Sequence, residues 1–329
     1  MDGVEFGVYA VSDDTLVATI KTDEDGYGSV FVPQGKYYMV ELLTWEGYAL
    51  STARTNVDAE WTGVYNYRET NSETSVTLNK SDVNTNSGIS GAEITILDST
   101  GKEVSRTLTD EKGETTIKGL PVGTYTFIET VAPTGYVINT TIFTFTIDKY
   151  GKVTGQSTIV DTPTSLTIKK TSTVSDNGLQ GTQFTITDAA TMQLVNVVWV
   201  ETLKAYVPAN ATVLGATKEK SELTTLTTGA DGTATVLYLP VAEYIVTEVK
   251  APDGYNLDSN PANVNVKTKS TGVLGASITI KNSPILPKTG ESVSKTAYVG
   301  GMLALAGVSL IAIIRKRSKR KTFHGYSQK

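Results

Sequence analysis

Apolar and polar residues alternate along most of this chain. The runs Val4-Glu5-Phe6-Gly7-Val8-Tyr9, Glu93-Ile94-Thr95-Ile96 and Thr141-Ile142-Phe143-Thr144-Phe145-Thr146-Ile147 all have period two. That period sends every second side chain to the same face and predicts half-buried β-strands. Thr, Val, Ile and Tyr are frequent in them and suit a pleated surface. The 29 Gly and 10 Pro punctuate the runs at short intervals, as turns require. No long amphipathic helical pattern precedes residue 296. The expected class is all-β, and 329 residues leave room for two or three small domains.

The pattern also repeats. Val76-Thr77-Leu78-Asn79-Lys80 returns as Leu166-Thr167-Ile168-Lys169-Lys170, displaced by 90 residues. Gly91-Ala92-Glu93-Ile94 returns as Gly181-Thr182-Gln183-Phe184 and is preceded by Gly3-Val4-Glu5-Phe6. A third block reads Tyr125-Thr126-Phe127-Ile128-Glu129, then Ala132-Pro133-Thr134-Gly135-Tyr136. It matches Tyr244-Ile245-Val246-Thr247-Glu248, then Ala251-Pro252-Asp253-Gly254-Tyr255. A weaker copy is Tyr37-Tyr38-Met39-Val40-Glu41, then Gly47-Tyr48. From the Gly of the second block to the Glu of the third is 38 residues in repeats one and two, and 67 in repeat three. Repeat three therefore carries an excursion within about 189–229, which holds Trp199, Tyr206 and Pro208. The Lys precedes the Gly by 11 residues in repeats two and three, so in repeat one it projects to a position before Met1. We expect domain one, 1–72, to be truncated at its N-terminus, with the first strand and a signal peptide belonging to a longer protein. The simpler alternative is a repeat that evolved without that strand. The expected domains that follow are 73–163 and 164–284, with a C-terminal segment 285–329.

Composition narrows the chemistry. There is no Cys, and the single His, His324, lies in a basic tail. Thiol catalysis, disulfides, Ser-His-Asp triads and Cys or His metal sites are thereby excluded from the body of the chain. No cofactor and no metal are expected, and an enzyme is not. Residues 315–329 hold seven Lys or Arg, and the rest of the chain holds 22 against 34 Asp and Glu. So acidic a body makes nucleic acid an unsuitable partner.

Residues Leu286-Pro287-Lys288-Thr289-Gly290 precede a short polar spacer, eighteen uncharged residues from Ala297 to Ile314, and a basic cluster from Arg315 to Lys321. Eighteen residues at about 1.5 Å each just cross a bilayer core as a helix, and the basic end stays cytoplasmic. A plain transmembrane anchor would explain the span and tail but not the pentapeptide. The whole resembles the LPXTG cell-wall sorting signal of Gram-positive surface proteins. That resemblance implies a sortase that cleaves after Thr289 and joins it to an amine of a peptidoglycan precursor or of a pilin lysine. The protein would then be extracellular and anchored to peptidoglycan, with a membrane-inserted precursor.

The repeated blocks resemble the Cna B-type, SpaA-like pilin domain, a small β-sandwich of immunoglobulin-like architecture. The implied fold is all-β: tandem sandwiches followed by a C-terminal transmembrane sorting helix. In that family a Lys on the first strand joins an Asn or Asp on the last in an intramolecular isopeptide bond, catalysed by a buried Glu. Carried over, Lys80 and Lys170 are nucleophiles, Glu129 and Glu248 catalytic acids, and Asp161 and Asn282 acceptors. Burial favours the neutral amine and the neutral carboxylic acid that such a reaction needs. Glu41 and Asn71 would form an incomplete site in repeat one, with Asn66 as a second candidate acceptor. Taken singly, such a Lys is a solvated surface residue and such a Glu an edge guard; the ordered trio, found twice, favours the chemistry.

The expected function is structural: a wall-anchored stalk or pilin-type subunit that supports adhesion, with sortase, other pilin subunits or a host surface ligand as partners. Two alternatives are an adhesin that binds through the 189–229 excursion and the stem of a surface hydrolase. Shaft pilins carry a motif like Trp-x-x-x-Val-x-Val-Tyr-Pro-Lys-Asn, whose Lys receives the next subunit. Here the nearest stretch, from Trp199 to Asn210, has Ala209 at the Lys position. That points to a wall-anchoring, tip or basal subunit, or a monomeric stalk, rather than a shaft.

Overall fold

Period two becomes strands throughout. In a computed structural model the residues described are 1–214, 221–267 and 275–286. Among them the only helical turn is a 3-10 turn at Thr212–Leu214. The expected transmembrane helix, and the motif residues Pro287 to Gly290, lie outside the described residues.

Repeat one contributes β1 (Glu5–Ala10), β2 (Leu16–Lys21), β3 (Gly35–Leu43) and β4 (Thr55–Ala59). They form one sheet in the order β2-β1-β3-β4. Repeat two begins with β5 (Ser75–Asp82), β6 (Glu93–Leu97), β7 (Glu103–Leu108), β8 (Glu114–Lys118) and β9 (Gly123–Val131). It continues with β10 (Tyr136–Val137), β11 (Phe143–Ile147), β12 (Val153–Gly155) and β13 (Thr158–Pro163). Two sheets result, β12-β11-β9-β6-β7 and β10-β13-β5-β8. Repeat three opens with β14 (Ser165–Ser172), β15 (Gln183–Asp188), β16 (Val197–Val200), β17 (Ala205–Pro208) and β18 (Leu226–Thr227). Then come β19 (Thr233–Leu237), β20 (Ala242–Lys250), β21 (Ala262–Val266) and β22 (Ala276–Asn282). Its sheets are β16-β17-β19-β14-β22 and β18-β15-β20-β21.

Each paired set of sheets closes over a core. In repeat two Val76, Leu78, Ile94, Ile96, Phe127, Phe145 and Ile159 are sealed. In repeat three Leu166, Ile168, Phe184, Ile186, Val236, Tyr244 and Val246 take their place. Each such side chain contributes about 1.5–3 kcal/mol when fully buried. The first and last strands of these repeats are neighbours and parallel. Ile159 lies opposite Lys80, and Ile280 opposite Lys170.

Repeats two and three join without a linker. β13 ends at Pro163 and β14 starts at Ser165. The intervening Thr164 is buried, and its hydroxyl donates to the carbonyls of Gly135 (3.2 Å) and Leu239 (2.5 Å). Thr74 does the same before β5, donating to Gly47 (3.2 Å) and Leu120 (2.6 Å). A hydroxyl with two carbonyls in reach, one from each side of the joint, holds the repeats in a fixed relation.

The excursion of repeat three is a hairpin. β16 and β17 pair antiparallel and extend the sheet through Tyr206 opposite Val236 of β19. Tyr206 is buried, its ring edge-on to Trp199 at 5.0 Å, while Trp199 is 40% exposed. Val200 and Val207 pack with Tyr238 and with Ile89 and Tyr136 of repeat two. The hairpin therefore braces the joint between repeats two and three.

Candidate functional site

Strand parity aims the charged residues inward. On β5 the positions Val76, Leu78, Lys80 and Asp82 share the core face, and on β14 Leu166, Ile168, Lys170 and Ser172 do so. Glu129 follows Tyr125 and Phe127 on the inner face of β9, and Glu248 follows Tyr244 and Val246 on β20. Asp161 and Asn282 come two residues after Ile159 and Ile280. Because the residue opposite each Lys is the acceptor minus two, the Lys side chain leans forward onto the acceptor.

The backbone at each Lys is held from both sides. Lys80 N–H donates to Gly113 O at 2.7 Å, and its carbonyl accepts from Ile89 N at 3.0 Å. Lys170 repeats this with Gly232 (2.7 Å) and Leu179 (2.9 Å). Gly113 and Gly232 have φ of 76° and 75°, and a Cβ on either would run into the Lys carbonyl. The strand that bears each Glu is pinned by its own tyrosine. Tyr125 donates its hydroxyl to Pro121 O (2.7 Å) and Tyr244 to Pro240 O (2.8 Å), as Tyr37 does to Pro33 O (2.9 Å).

In repeat three the result is a closed triangle. Lys170 Nζ donates to Glu248 Oε2 at 2.7 Å and to Asn282 Oδ1, and Asn282 Nδ2 donates to Glu248 Oε1 at 2.6 Å. Their exposures are 0%, 2% and 1%. Burial pulls the Lys170 ammonium below its usual range, though Glu248 beside it pulls the other way. The Phe184 ring lies 5.9 Å from Nζ and walls off water.

Repeat two brings the same three positions together with a carboxyl acceptor. Lys80 Nζ lies 3.0 Å from Glu129 Oε1 and donates to Asp161 Oδ1. All three side chains are sealed from solvent. Burial pushes the Asp161 carboxyl up to about 7; Lys80 opposes the rise and the Glu129 carboxylate adds to it. The backbone N–H of Asn139 donates to Glu129 Oε2 at 2.6 Å, orienting the carboxyl.

Repeat one brings together two of the expected residues. Asn71 Nδ2 donates to both Glu41 oxygens at 2.8 Å and to Ala49 O at 3.1 Å. Ser51 N–H donates to Glu41 Oε2 at 2.5 Å, in the place of Asn139. Asn66 is exposed. At the C-terminal end Leu286 is exposed.

Three contributors escaped the reading of the sequence. The Asn139 and Ser51 contacts are made by backbone and leave no residue signature. The pinning tyrosines did have one, a Pro-x-x-x-Tyr spacing common to Pro33, Pro121 and Pro240. Gly113 and Gly232 sit in Glu-Lys-Gly and Ala-Asp-Gly turns that look like ordinary hairpin chemistry.

As simple ion pairs these sites would be costly. Each fully buried charge loses several kcal/mol of hydration even after relaxation. A neutral amide linking Nζ to Cγ of the acceptor removes that cost, and the amine already touches the acceptor group. The arrangement suits nucleophilic substitution at a carboxyl or carboxamide carbon, with a carboxyl in contact to move protons.

Comparison with known proteins agrees with this architecture. The family described as SpaA, prealbumin-like fold domain, matches residues 1–73, 74–161 and 164–283. The Bacillus anthracis TIE protein is similar at 25% identity and a TM-score of 0.40, over 86% of this chain and 48% of that one. The chain thus spans about half the length of that relative. A streptococcal ancillary pilin is similar at 16% identity and a TM-score of 0.35, covering 87% of this chain and 93% of the pilin. GBS52, the minor pilin of Streptococcus agalactiae, aligns at 14% identity and 0.31, covering 67% of this chain and all of GBS52, 100%. No curated protein matches in sequence. With three family matches that together span most of its length, the chain belongs to the SpaA family of prealbumin-like fold domains, present as tandem copies.

Proposed function

We propose that the chain is a wall-anchored stalk or ancillary pilin-type subunit, stiffened by two intramolecular isopeptide bonds, Lys80–Asp161 and Lys170–Asn282. The observation that carries this reading is the buried contact of each Lys amine with its acceptor beside a Glu that touches the amine. In repeat three Nζ attacks Cγ of Asn282, the Nζ–Cγ bond forms, and the Cγ–Nδ2 bond breaks. Glu248 relays a proton from the amine to Nδ2, which leaves as ammonia. In repeat two Glu129 relays the proton to a carboxyl oxygen of Asp161, which leaves as water. Neither step needs a metal or a redox partner. Three domains of the SpaA family in tandem favour an extracellular, structural role over an enzymatic one. The Leu286–Gly290 motif, with sortase as its reader and a wall or pilin amine as acceptor, supplies the anchor. The hairpin Val197–Pro208 lends its apolar side to a joint, which favours bracing over ligand binding.

Intact mass tests the bonds. The purified chain should weigh about 35 Da less than its sequence, roughly 18 from water at Asp161 and 17 from ammonia at Asn282. Glu129→Ala should restore the first loss only, and Glu248→Ala the second only. A folded chain at full sequence mass would refute the mechanism. The anchor has its own test. Behind a signal peptide in a Gram-positive host, the chain should be released by muralytic enzymes but not by detergent, and Thr289→Ala should shift it to the detergent-soluble membrane fraction. Equal wall linkage of both forms would rule out sorting at this motif.

A further inference from the structure

The hairpin of repeat three has a second side, which the joint leaves free. It is inserted between β15 and β18, whereas in repeat two the corresponding β6 and β7 are joined by a short turn. Val200 and Val207 face the joint. On the opposite side Val197 lies across from Pro208, and Trp199 across from Tyr206. Val197 and Tyr206 enter the core of repeat three, while Trp199 stands beyond its edge, partly exposed. Segments added to an otherwise constant repeat often carry a binding face.

β17 meets β19 at a single register pair, Tyr206 opposite Val236. Toward the start of both strands lies an open cleft of about 500 Å³, a size that suits a small ligand. Its walls include Trp199, Lys204, Tyr206, Asp231, Thr233 and Thr235. In repeat two β8 is an edge strand that no hairpin covers, and Lys112 stands in the place of Asp231. The cleft is therefore a feature that the excursion creates.

The aromatic wall is held in place. The Trp199 indole N–H donates to Glu201 Oε2 at 2.8 Å, and Lys204 pairs with the other oxygen of Glu201. Tyr206 sits edge-on to the indole at 5.0 Å, and its own hydroxyl accepts from Thr227 N–H at 3.0 Å. The facing wall is a carboxylate. Asp231 accepts from the Thr233 hydroxyl at 2.7 Å and from the Thr233 N–H at 2.9 Å. The hydroxyl, and then the N–H, hold this carboxyl below its usual range, so it is ionised at neutral pH. A carboxylate has acceptor capacity beyond those bonds.

These groups select the ligand. The Thr233 N–H is taken by Asp231 and its carbonyl by Gly229 N–H at 2.8 Å, so Thr233 has no free backbone pair for an added peptide strand. Lys204 is already paired with Glu201, so among the described residues the cleft walls hold no free cation for a phosphate or sulfate. What remains is a flat aromatic face beside hydroxyls and one carboxylate. The C–H face of a sugar ring suits the negative face of an indole, and sugar hydroxyls both donate and accept. We propose that the cleft beside Trp199 binds a neutral oligosaccharide, with one sugar ring stacked on the indole and its hydroxyls bonded to Asp231 and Thr233. The bracing side of the hairpin stays with the joint, and the site depends neither on the isopeptide bonds nor on the sorting motif.

The test offers the full chain cellotetraose, maltotetraose, chitotetraose and a β1,4-linked galactotetraose, with binding read by saturation-transfer NMR and by the shift of tryptophan emission. At least one of these sugars should bind. Trp199→Ala should weaken that sugar at least about tenfold through the lost stacking. Asp231→Asn should weaken it about tenfold while keeping the shape of the side chain. Trp61→Ala removes an indole that is 80% exposed but outside the cleft, and should bind as the unaltered chain does. A Thr-Val octapeptide should give no signal. Failure of every sugar would overturn the proposal, as would an equal loss on Trp61→Ala. Should Trp199→Ala disturb the hairpin, Asp231→Asn decides, and undiminished binding by that variant would sink the idea. Binding of the octapeptide without any sugar would assign the cleft to an added strand and overturn the proposal too.

Discussion

Glu248→Gln should lower the melting temperature of repeat three by about 15 °C, and scanning calorimetry should show that transition shifting while repeat two holds. The substitution keeps the shape of the side chain and removes the group proposed to relay the proton. Lys170 and Asn282 are 112 residues apart in sequence, and closing a loop of that size stabilises by about 5 kcal/mol through the unfolded state. For a domain of this size each kcal/mol corresponds to roughly 3–4 °C. The unjoined Lys170 also stays buried as an amine with no carboxylate beside it, which adds to the loss. Lys281→Gln makes a useful contrast. Lys281 stands next to the acceptor but pairs with Asp176 at 3.3 Å on the surface, and such pairs contribute little. Melting of Glu248→Gln within a few degrees of the unaltered chain would mean that no bond had been lost.

Pulled from its two ends, the chain should release no length from the interiors of repeats two and three. The tension would run along β5 to Lys80, across to Asp161, through the nine residues to Lys170, and across again to Asn282. Those nine residues lie in β13 and β14 with only Thr164 between the strands. The proposed bonds would bypass the 81 residues from Lys80 to Asp161 and the 112 from Lys170 to Asn282. Glu129→Ala should open the first loop and show a single-molecule extension step of about 280 Å, at roughly 3.5 Å per residue. Glu248→Ala should give one of about 390 Å on the same scale. Steps of these lengths in the unaltered chain would remove the mechanical argument for a stalk. Among the described residues no Lys amine pairs with Glu41 beside Asn71 to form such a bond, so strands β1 to β4 of repeat one should unfold at low force in every variant.

The alternation of apolar and polar residues determined which way each side chain faces. Lys80 follows Val76 and Leu78 at even spacing, and Glu129 follows Tyr125 and Phe127, so their inward direction was legible without coordinates. The three recurring blocks carried the resemblance that named the acceptors, the 38-residue ruler marked the excursion in repeat three, and the 11-residue step from Lys to Gly projected the Lys of repeat one to a position before Met1. The strand direction of a side chain is a local matter of backbone geometry, repeated every two residues. Which strand lies beside which is not. Only the tertiary structure decided that β13 runs parallel to β5 and β22 to β14, with the acceptor two residues beyond the residue opposite the Lys. Only it placed Tyr206 inside and set Val200 and Val207 against Ile89 and Tyr136, turning the excursion of repeat three into a brace. The same holds for the Thr74 and Thr164 joints. These contacts join residues tens of positions apart, and they exist because apolar faces must be covered and backbone groups paired across the whole fold, a requirement that no local window of sequence contains.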